Sequence, residues 1–387
     1  MPMTTTAPDA VVVSYPPAGW AVDVEGAAHG PALLMLEDGT CFRGQAWGAP
    51  VAGGGDLVAN TSSTGYQEVC TDPSYAGQVV VLTAPLIGNH GWVEGDDQSV
   101  RPWLRALIAG HATSARPGST VQLAQRLREA GVPAIAGIDT RALARHLRDT
   151  GSQRALLTAP GETDVQVASL AVARLARWED QDFVSQMGPA AVVDVGQGDG
   201  PRVAVLDLGL KRGILAALDR RGIRARVFPP NAPAAELLAP DLAGAVLSPG
   251  PGDPARLGGP LEATRALVAS GRPLLGICLG HQLIGLAAGA ATRRLRFGHH
   301  GANHPVLDLD TGRVRVTAQN HEVEVVGDTL PPASGFRVTQ RNLNDGTVEG
   351  LRHRELPIET VQYHPEGAPG PLDATDVFDR FAAALCR

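Results

Sequence analysis

The stretch Gly276-Ile277-Cys278-Leu279-Gly280-His281-Gln282 sets one cysteine between two glycines, where the apolar run Pro273 to Ile277 ends and an apolar helical stretch begins. A nucleophile elbow has this form, here with sulfur in place of oxygen. The nucleophile sits in a strained strand-to-helix turn, and larger neighbours than Gly276 and Gly280 would collide there. At the N-terminus of the following helix, dipole and backbone N–H groups favour thiolate over thiol and can bind a developing oxyanion. A thiolate that performs acyl chemistry needs a base, and the base needs an orienting carboxylate. Tyr363-His364-Pro365-Glu366 supplies both. Val361 to Tyr363 reads as a strand, so His364 stands at its end, and Glu366, two residues on, falls on the same side while the chain stays extended. Taken alone these four residues read as a solvated His and Glu on a loop. Taken alone, Cys278 reads as a buried cysteine at a strand end. Together they form a nucleophile, base and orienter set.

The elements that must position this set follow from the pattern after Pro201. Val203–Leu206, Ala225–Phe228, Ala243–Leu247 and Pro273–Ile277 are short apolar, β-branched runs, and Lys211–Arg221, Pro233–Leu238 and Leu261–Ser270 are helical stretches between them. The alternation predicts a mainly parallel, doubly wound α/β sheet. The first half reads as a separate mixed α/β domain. A hairpin is expected from Ala32 to Gly48 around Asp38-Gly39, a strand at Gln78–Thr83, helical spacing at Leu104–Ala109 and Val121–Ala130, and a helix capped by Asp139 or Thr140 and running to Leu147. Residues 1–27, rich in Thr, Pro, Ala and Gly, are expected to be a loose leader. The expected organisation is then an N-terminal domain over 28–195, a linker over 196–201 (Gly-Gln-Gly-Asp-Gly-Pro) and a C-terminal domain over 202–387. A chain of 387 residues calls for two cores rather than one.

Composition narrows the partners. Lys+Arg 33 against Asp+Glu 40 leaves a net charge of -7 with no basic stripe, so nucleic acid is not an expected partner. Cys41, Cys70, Cys278 and Cys386 are widely spread, without a disulfide framework or zinc-ribbon spacing, and no basic, apolar signal segment is seen. The longest apolar stretch, around 273–291, is broken by His281, Gln282 and glycines, so no membrane span is expected and the cytoplasm is the expected location. Gly53-Gly54-Gly55 lacks the Lys and Ser/Thr of a phosphate loop, so no ATP site is expected on this chain. His299, His300 and His304 lie close in sequence but have no carboxylate or thiolate at a ligand-like offset. They are expected to make local hydrogen bonds in a turn, and no metal is expected. Lys211 is the only lysine of the chain, and nothing in its sequence context assigns it a role.

The elbow and the His364-Pro365-Glu366 pair resemble those of the class I glutamine amidotransferases. Five further stretches make the resemblance more particular: Asn60-Thr61-Ser62-Ser63-Thr64-Gly65-Tyr66-Gln67-Glu68, Thr71-Asp72-Pro73-Ser74-Tyr75, Gly137-Ile138-Asp139-Thr140-Arg141, Phe297-Gly298-His299-His300-Gly301-Ala302-Asn303-His304-Pro305 and Ala318-Gln319-Asn320-His321. From about Ala32 to the C-terminus the chain is similar to the small-subunit family of carbamoyl phosphate synthetases. The resemblance implies a C-terminal class I amidotransferase domain that hydrolyses L-glutamine, with Cys278 as nucleophile, His364 as base and Glu366 as its orienting partner. It implies glutamine contacts at Ser74, Gly250, Gly252, Leu279, Gln282, Asn320, Glu322 and Val323, with the Gly250 and Leu279 amides as the oxyanion hole. It also implies a large synthetase subunit as partner, which carries ATP and its metal and uses the ammonia to make carbamoyl phosphate from bicarbonate for pyrimidine and arginine biosynthesis. The chain departs from the family pattern at Glu322, where Gly is usual, at Val323, where an aromatic is common, and within 89–97. If position 322 requires positive φ, a non-glycine residue there is strained and weakens glutamine binding. A non-catalytic scaffold paralogue and an amidotransferase serving a different synthase are the alternatives. The intact Cys278, His364 and Glu366 favour an enzyme.

Overall fold

The computed structural model describes Val12–Val13 and residues 28–114 and 122–386. The remainder of the expected 1–27 leader lies outside the described residues. The chain divides into two compact units, one formed by 1–71 and 75–181, the other by 72–74 and 182–387.

In the first unit the expected hairpin forms from Gly30–Leu36 and Cys41–Gly48, paired antiparallel around Asp38-Gly39, where Gly39 takes φ +89°. The sheet runs in the order Val12–Val13, Cys41–Gly48, Gly30–Leu36, Gln153–Leu157, Gly53–Asn60, Gln78–Ile87, Ala106–Ala112, Pro133–Ala136, and Pro133–Ala136 pairs back onto Cys41–Gly48. The sheet therefore closes on itself and leaves few free edges. Helix Thr140–Thr150 begins as expected, with Asp139 accepting from the Ala142 amide at 2.8 Å. Leu104–Ala109 is not helical. Ala106–Ala112 is a strand parallel to both Gln78–Ile87 and Pro133–Ala136. Its residues Ala106 to Ala109 are all fully buried, and an apolar run buried on both faces has no period that separates strand from helix.

The second unit is a ten-stranded sheet. Its centre is parallel, in the order Ile358–Val361, Leu274–Ile277, Gly244–Leu247, Arg202–Leu206, Arg224–Phe228. Antiparallel strands extend it: Val193–Val195 beyond Arg224–Phe228, and Val348–His353, Phe336–Asn342, Ala291–Asp308 and Val314–Val326 beyond Ile358–Val361. The pleat sends Val203, Val205 and Val246 to one face, against helices Arg212–Asp219 and Asp376–Leu385. Ala204, Leu206 and Leu247 face the other way, toward Gly258–Ser270 and Leu279–Ala287. Helices on both faces make the doubly wound arrangement that the alternation predicts. Because Val193–Val195 already belongs to this sheet, the second unit starts at Asp182, ahead of the Gly196–Pro201 stretch expected to be the linker. The parallel strands point the same way, so the segments after Leu206, Leu247, Ile277 and Val361 gather at one edge, the carboxyl end where open α/β sheets bind ligands. Among the described residues no helix is long and apolar enough to cross a membrane.

Candidate active site

Cys278 follows the Leu274–Ile277 strand directly and caps the Leu279–Ala287 helix, with φ 53° and ψ −105°. Among the described residues it is the one non-glycine with positive φ. Such a conformation costs roughly 1–3 kcal/mol and persists only where the surroundings impose it. They do so here through close packing. A Cβ on Gly280 would lie 2.3 Å from the Leu247 carbonyl oxygen, and one on Gly276 would lie 2.7 Å from the Gly280 carbonyl oxygen. The Cys278 amide donates to the Val361 carbonyl at 2.8 Å, fixing the elbow to the strand that leads to His364. The elbow and the His364 segment are thus carried by hydrogen-bonded neighbouring strands.

His364 is positioned by its amide, which donates to the Ala318 carbonyl at 2.8 Å, and by Nδ1, which lies 2.9 Å from Glu366 Oε1. The pair stays on one side, as the extended geometry requires. Burial opposes a charge on the imidazole and so does Lys211, but Glu366 and the neighbouring Cys278 outweigh them and push His364 up to about 10. Its Nε2 is buried, on a ring that has Cys278 as a neighbour. His281, the other histidine near the elbow, is turned away from this role. Its Nδ1 lies 2.7 Å from Thr360 Oγ1, and burial lowers its pKa to about 3, so it stays neutral.

Behind Glu366 stands a residue that sequence reasoning passed over. Lys211 Nζ lies 2.7 Å from Glu366 Oε1 and 3.7 Å from Asp72 Oδ2, and it donates to the Ala368 carbonyl at 2.5 Å. The side chain is 2% exposed. Burial works against its charge, but Glu366 and Asp72 hold the amine above its ordinary range. Burial would likewise raise Glu366, yet Lys211 and then His364 hold it well below the carboxylate range. Lys211 is brought there by Asp207, whose Oδ1 accepts from the Gly209 and Leu210 amides and so sets the turn into the Arg212–Asp219 helix. The one signal in the sequence was its being the only lysine, placed just after a strand end.

The remaining expected site residues fall around this group. Gly250 packs against the Leu208 carbonyl, 2.1 Å from where its Cβ would lie, and against the Leu279 side chain, so a larger residue is excluded. Gly252 takes φ +102°. Ser74 lies in the 72–74 segment of the second unit. Its amide donates to Asp72 Oδ1 at 2.9 Å, and its hydroxyl is buried without a partner. Asn320 presents its backbone carbonyl to Cys278 Sγ at 3.6 Å. Gln282 Nε2 donates to the Val323 carbonyl at 2.7 Å, so it braces the strand beside Cys278. Glu322 does not meet the condition for strain: its φ is not positive, and its side chain is buried, the residue being 2% exposed. Burial would raise its pKa, but His300, 2.7 Å away, and Arg294 lower it. Strain at 322 therefore gives no ground for weak glutamine binding.

The histidine cluster also departs from the expected turn, because 291–308 is one long strand. His299 Nε2 lies 2.8 Å from Asp345 Oδ2, while His300 turns to Asn320 and Glu322. The side chains within reach of a common ion are His299, His321 and Glu349, whose ligand atoms lie within 4.8 Å of one another. They come from three strands, a grouping that spacing within 299–304 cannot reveal.

The family models bear directly on this geometry. Residues 204–384 match "Glutamine amidotransferase class-I", and residues 34–157 match "Carbamoyl-phosphate synthase small chain, CPSase domain". Carbamoyl phosphate synthase small chains are similar along nearly their whole length: that of Symbiobacterium thermophilum is 46% identical over 91% of this chain and 98% of its own. The chain belongs to the carbamoyl phosphate synthase small chain family. Those of Chlorobaculum tepidum and Bacillus caldolyticus are each 43% identical, over 92% and 91% of this chain and 98% and 96% of theirs. Apart from 72–74, the small-chain domain thus falls in the first unit, and the amidotransferase match, with Cys278, Lys211, His364 and Glu366 inside it, falls in the second.

Proposed function

We propose that this small chain hydrolyses L-glutamine to glutamate and ammonia through Cys278, His364 and Glu366. The observation that carries the reading is the strained Cys278 elbow set beside a buried His364–Glu366–Lys211 chain. A non-catalytic scaffold has no use for a backbone conformation that costs stability. Cys278 Sγ attacks the side-chain amide carbon of glutamine, forming a carbon–sulfur bond and a tetrahedral oxyanion, which the Gly250 and Leu279 amides stabilise. His364, charged through its pairing with Glu366, gives its Nε2 proton to the departing nitrogen, and ammonia leaves as the thioester forms. The neutral imidazole then takes a proton from water, whose oxygen attacks the thioester; the carbon–sulfur bond breaks, freeing glutamate and returning the sulfur and the charged imidazole to the state in which they began. Glu366 orients the ring and never exchanges the proton, and Lys211 keeps Glu366 ionised. The Ser74 hydroxyl and the backbone of the 320–323 strand edge, at Asn320, Glu322 and Val323, are the protein's offer to the substrate, together with Gly252 and Gln282.

The ammonia passes to a large synthetase chain, which holds ATP and its metal and makes carbamoyl phosphate from bicarbonate. Pyrimidine and arginine supply in the cytoplasm are the roles this implies. The test uses the complex with its large chain. Cys278→Ser abolishes glutamine-dependent carbamoyl phosphate synthesis and leaves ammonia-dependent synthesis intact, since a hydroxyl is a far weaker nucleophile and the partner's chemistry does not use it. Loss of both activities in an assembled complex, or retention of both, refutes the assignment.

A further inference from the structure

A buried run of hydrogen bonds leads away from the nucleophile through residues to which the reaction above assigns no step. Asn320, whose backbone carbonyl faces Cys278 Sγ, has both ends of its side-chain amide occupied. Nδ2 donates to Asp72 Oδ2 at 3.1 Å, and Oδ1 lies 3.0 Å from His300 Nδ1. His300 Nε2 lies 2.7 Å from Glu322 Oε1, and the second Glu322 oxygen lies 3.4 Å from Arg294 Nη2. Asp72, His300, Asn320 and Glu322 are all buried.

The donor and acceptor inventory fixes the orientation of Asn320. The Asp72 carboxylate only accepts, so the Asn320 amide nitrogen must face it and the amide oxygen must face His300. His300 Nδ1 therefore donates. Glu322, lowered by His300 and Arg294 against the effect of burial, faces the other end of the ring, with Oε1 at His300 Nε2. The His300 ring is held between a carboxylate and an amide oxygen, and its Nδ1 is satisfied in only one orientation of Asn320. A hydrogen bond of this charge-assisted kind is stronger and more directional than a neutral one. The strand edge is gripped from the other side too, where the Gln282 amide holds the Val323 carbonyl.

We propose that His300 and Glu322 are positioning residues for glutamine: acting through Asn320, they fix the 320–323 edge beside Cys278 and set the affinity for glutamine without setting the rate of its chemistry. This rests on the reading of Cys278 as the glutaminase nucleophile. Glutamate at 322 is then a working part of the pocket wall, and replacing it by the glycine usual in the family weakens the site.

The test measures glutamate release by the full chain with its large-chain partner, for wild type, Glu322→Gln, Glu322→Gly and His300→Leu, together with alkylation of Cys278 by iodoacetamide. The KM for glutamine rises about tenfold in Glu322→Gly and His300→Leu, the scale of one hydrogen bond to a charged group. In Glu322→Gln, whose side-chain amide still pairs with His300, it rises about threefold, the scale of a weaker neutral bond. In all three, kcat stays within about twofold, as expected when an interaction equal in ground and transition state is lost. The alkylation rate is unchanged, because iodoacetamide does not use the pocket edge. An unchanged or lower KM in Glu322→Gly overturns the proposal, as does a fall in kcat or in alkylation rate comparable to the change in KM. Should His300→Leu fail to fold, the two Glu322 variants decide. A wild-type complex that releases no glutamate overturns the functional reading, and this proposal falls with it, whereas an active wild type with unmoved variants overturns this proposal alone.

Discussion

Replacing Lys211 by Met removes the cation that stands behind the base while keeping most of the side-chain volume. The structure sets the scale of the loss. Lys211 is 2% exposed and Glu366 and Asp72 are 1% and 3% exposed, so water cannot enter freely to solvate the carboxylates left behind. Breaking a buried pair by removing one partner costs about 3–5 kcal/mol, because the other charge remains buried and uncompensated. For a unit of this size that corresponds to a fall in melting temperature of about 6–20 °C. Part of the cost is relieved if Glu366 takes up a proton, and that relief is what damages catalysis. A protonated Glu366 no longer favours the imidazolium, so His364 loses the partner that outweighs its burial. We expect kcat for glutamine hydrolysis to fall about 10- to 100-fold, the range for losing one general acid–base contribution in part, with KM changed far less. Steady-state glutaminase assays at several pH values and a thermal melt of the same preparation check this. A variant that keeps wild-type kcat and melts within about 2 °C of wild type, less than 1 kcal/mol, refutes the claim that Lys211 holds Glu366 ionised.

Two further outcomes follow from the same geometry. His364→Asn abolishes glutaminase activity, whereas Glu366→Gln lowers kcat about 10- to 100-fold, because the carboxylate orients and charges the ring without carrying the proton; equal and small effects of the two would contradict their roles, and glutamate release with ammonia-dependent synthesis as control measures them. His364 also makes folding depend on pH. Its pKa rises from 6.5 to about 10 in the folded protein, so the folded state binds the proton more tightly, and the stability this contributes is complete below pH 6.5 and is lost as pH climbs toward about 10. Urea unfolding from pH 6 to about 10 should therefore show wild type losing stability faster than His364→Asn across that interval, and parallel slopes would refute it.

What could be read in the sequence was local. The elbow was legible because glycine at 276 and 280 answers to collisions inside one turn, and the hairpin was legible because Asp38-Gly39 sits between two apolar runs. Leu104–Ala109 was misread because burial on both faces removes the period on which the reading depends. The unread parts of the site share one cause. Lys211 finds Glu366 and Asp72 only after three separate stretches of chain have folded together, and no spacing between them carries the information. Glu322 was judged by its backbone, as a residue in a glycine position, whereas its significance lies in a side chain turned inward to His300 and Arg294. His299, His321 and Glu349 likewise meet only once 291–308, 314–326 and 348–353 lie in one sheet.

The chain's use of arginine in place of lysine everywhere but at 211 turns from a compositional oddity into an argument. Every other basic residue here is Arg, so a single Lys retained at a buried position calls for a physical reason. The ammonium has three donors on a compact head, and at this site it meets two acceptors within hydrogen-bond distance, Glu366 Oε1 and the Ala368 carbonyl, with the Asp72 carboxylate 3.7 Å away. A guanidinium has five donors in a planar fork and a longer reach. Placed in this pocket, it would leave N–H groups buried without partners. Each orphaned donor costs about 1–3 kcal/mol, more for a charged group. Lys211→Arg, conservative in charge, is therefore expected to be no better than Lys211→Met in either melting temperature or kcat, even though it alone preserves the positive charge beside Glu366. If Lys211→Arg instead retains wild-type kcat and stability, charge alone suffices at this position, and the fit of a compact ammonium to these acceptors does not explain why lysine stands here.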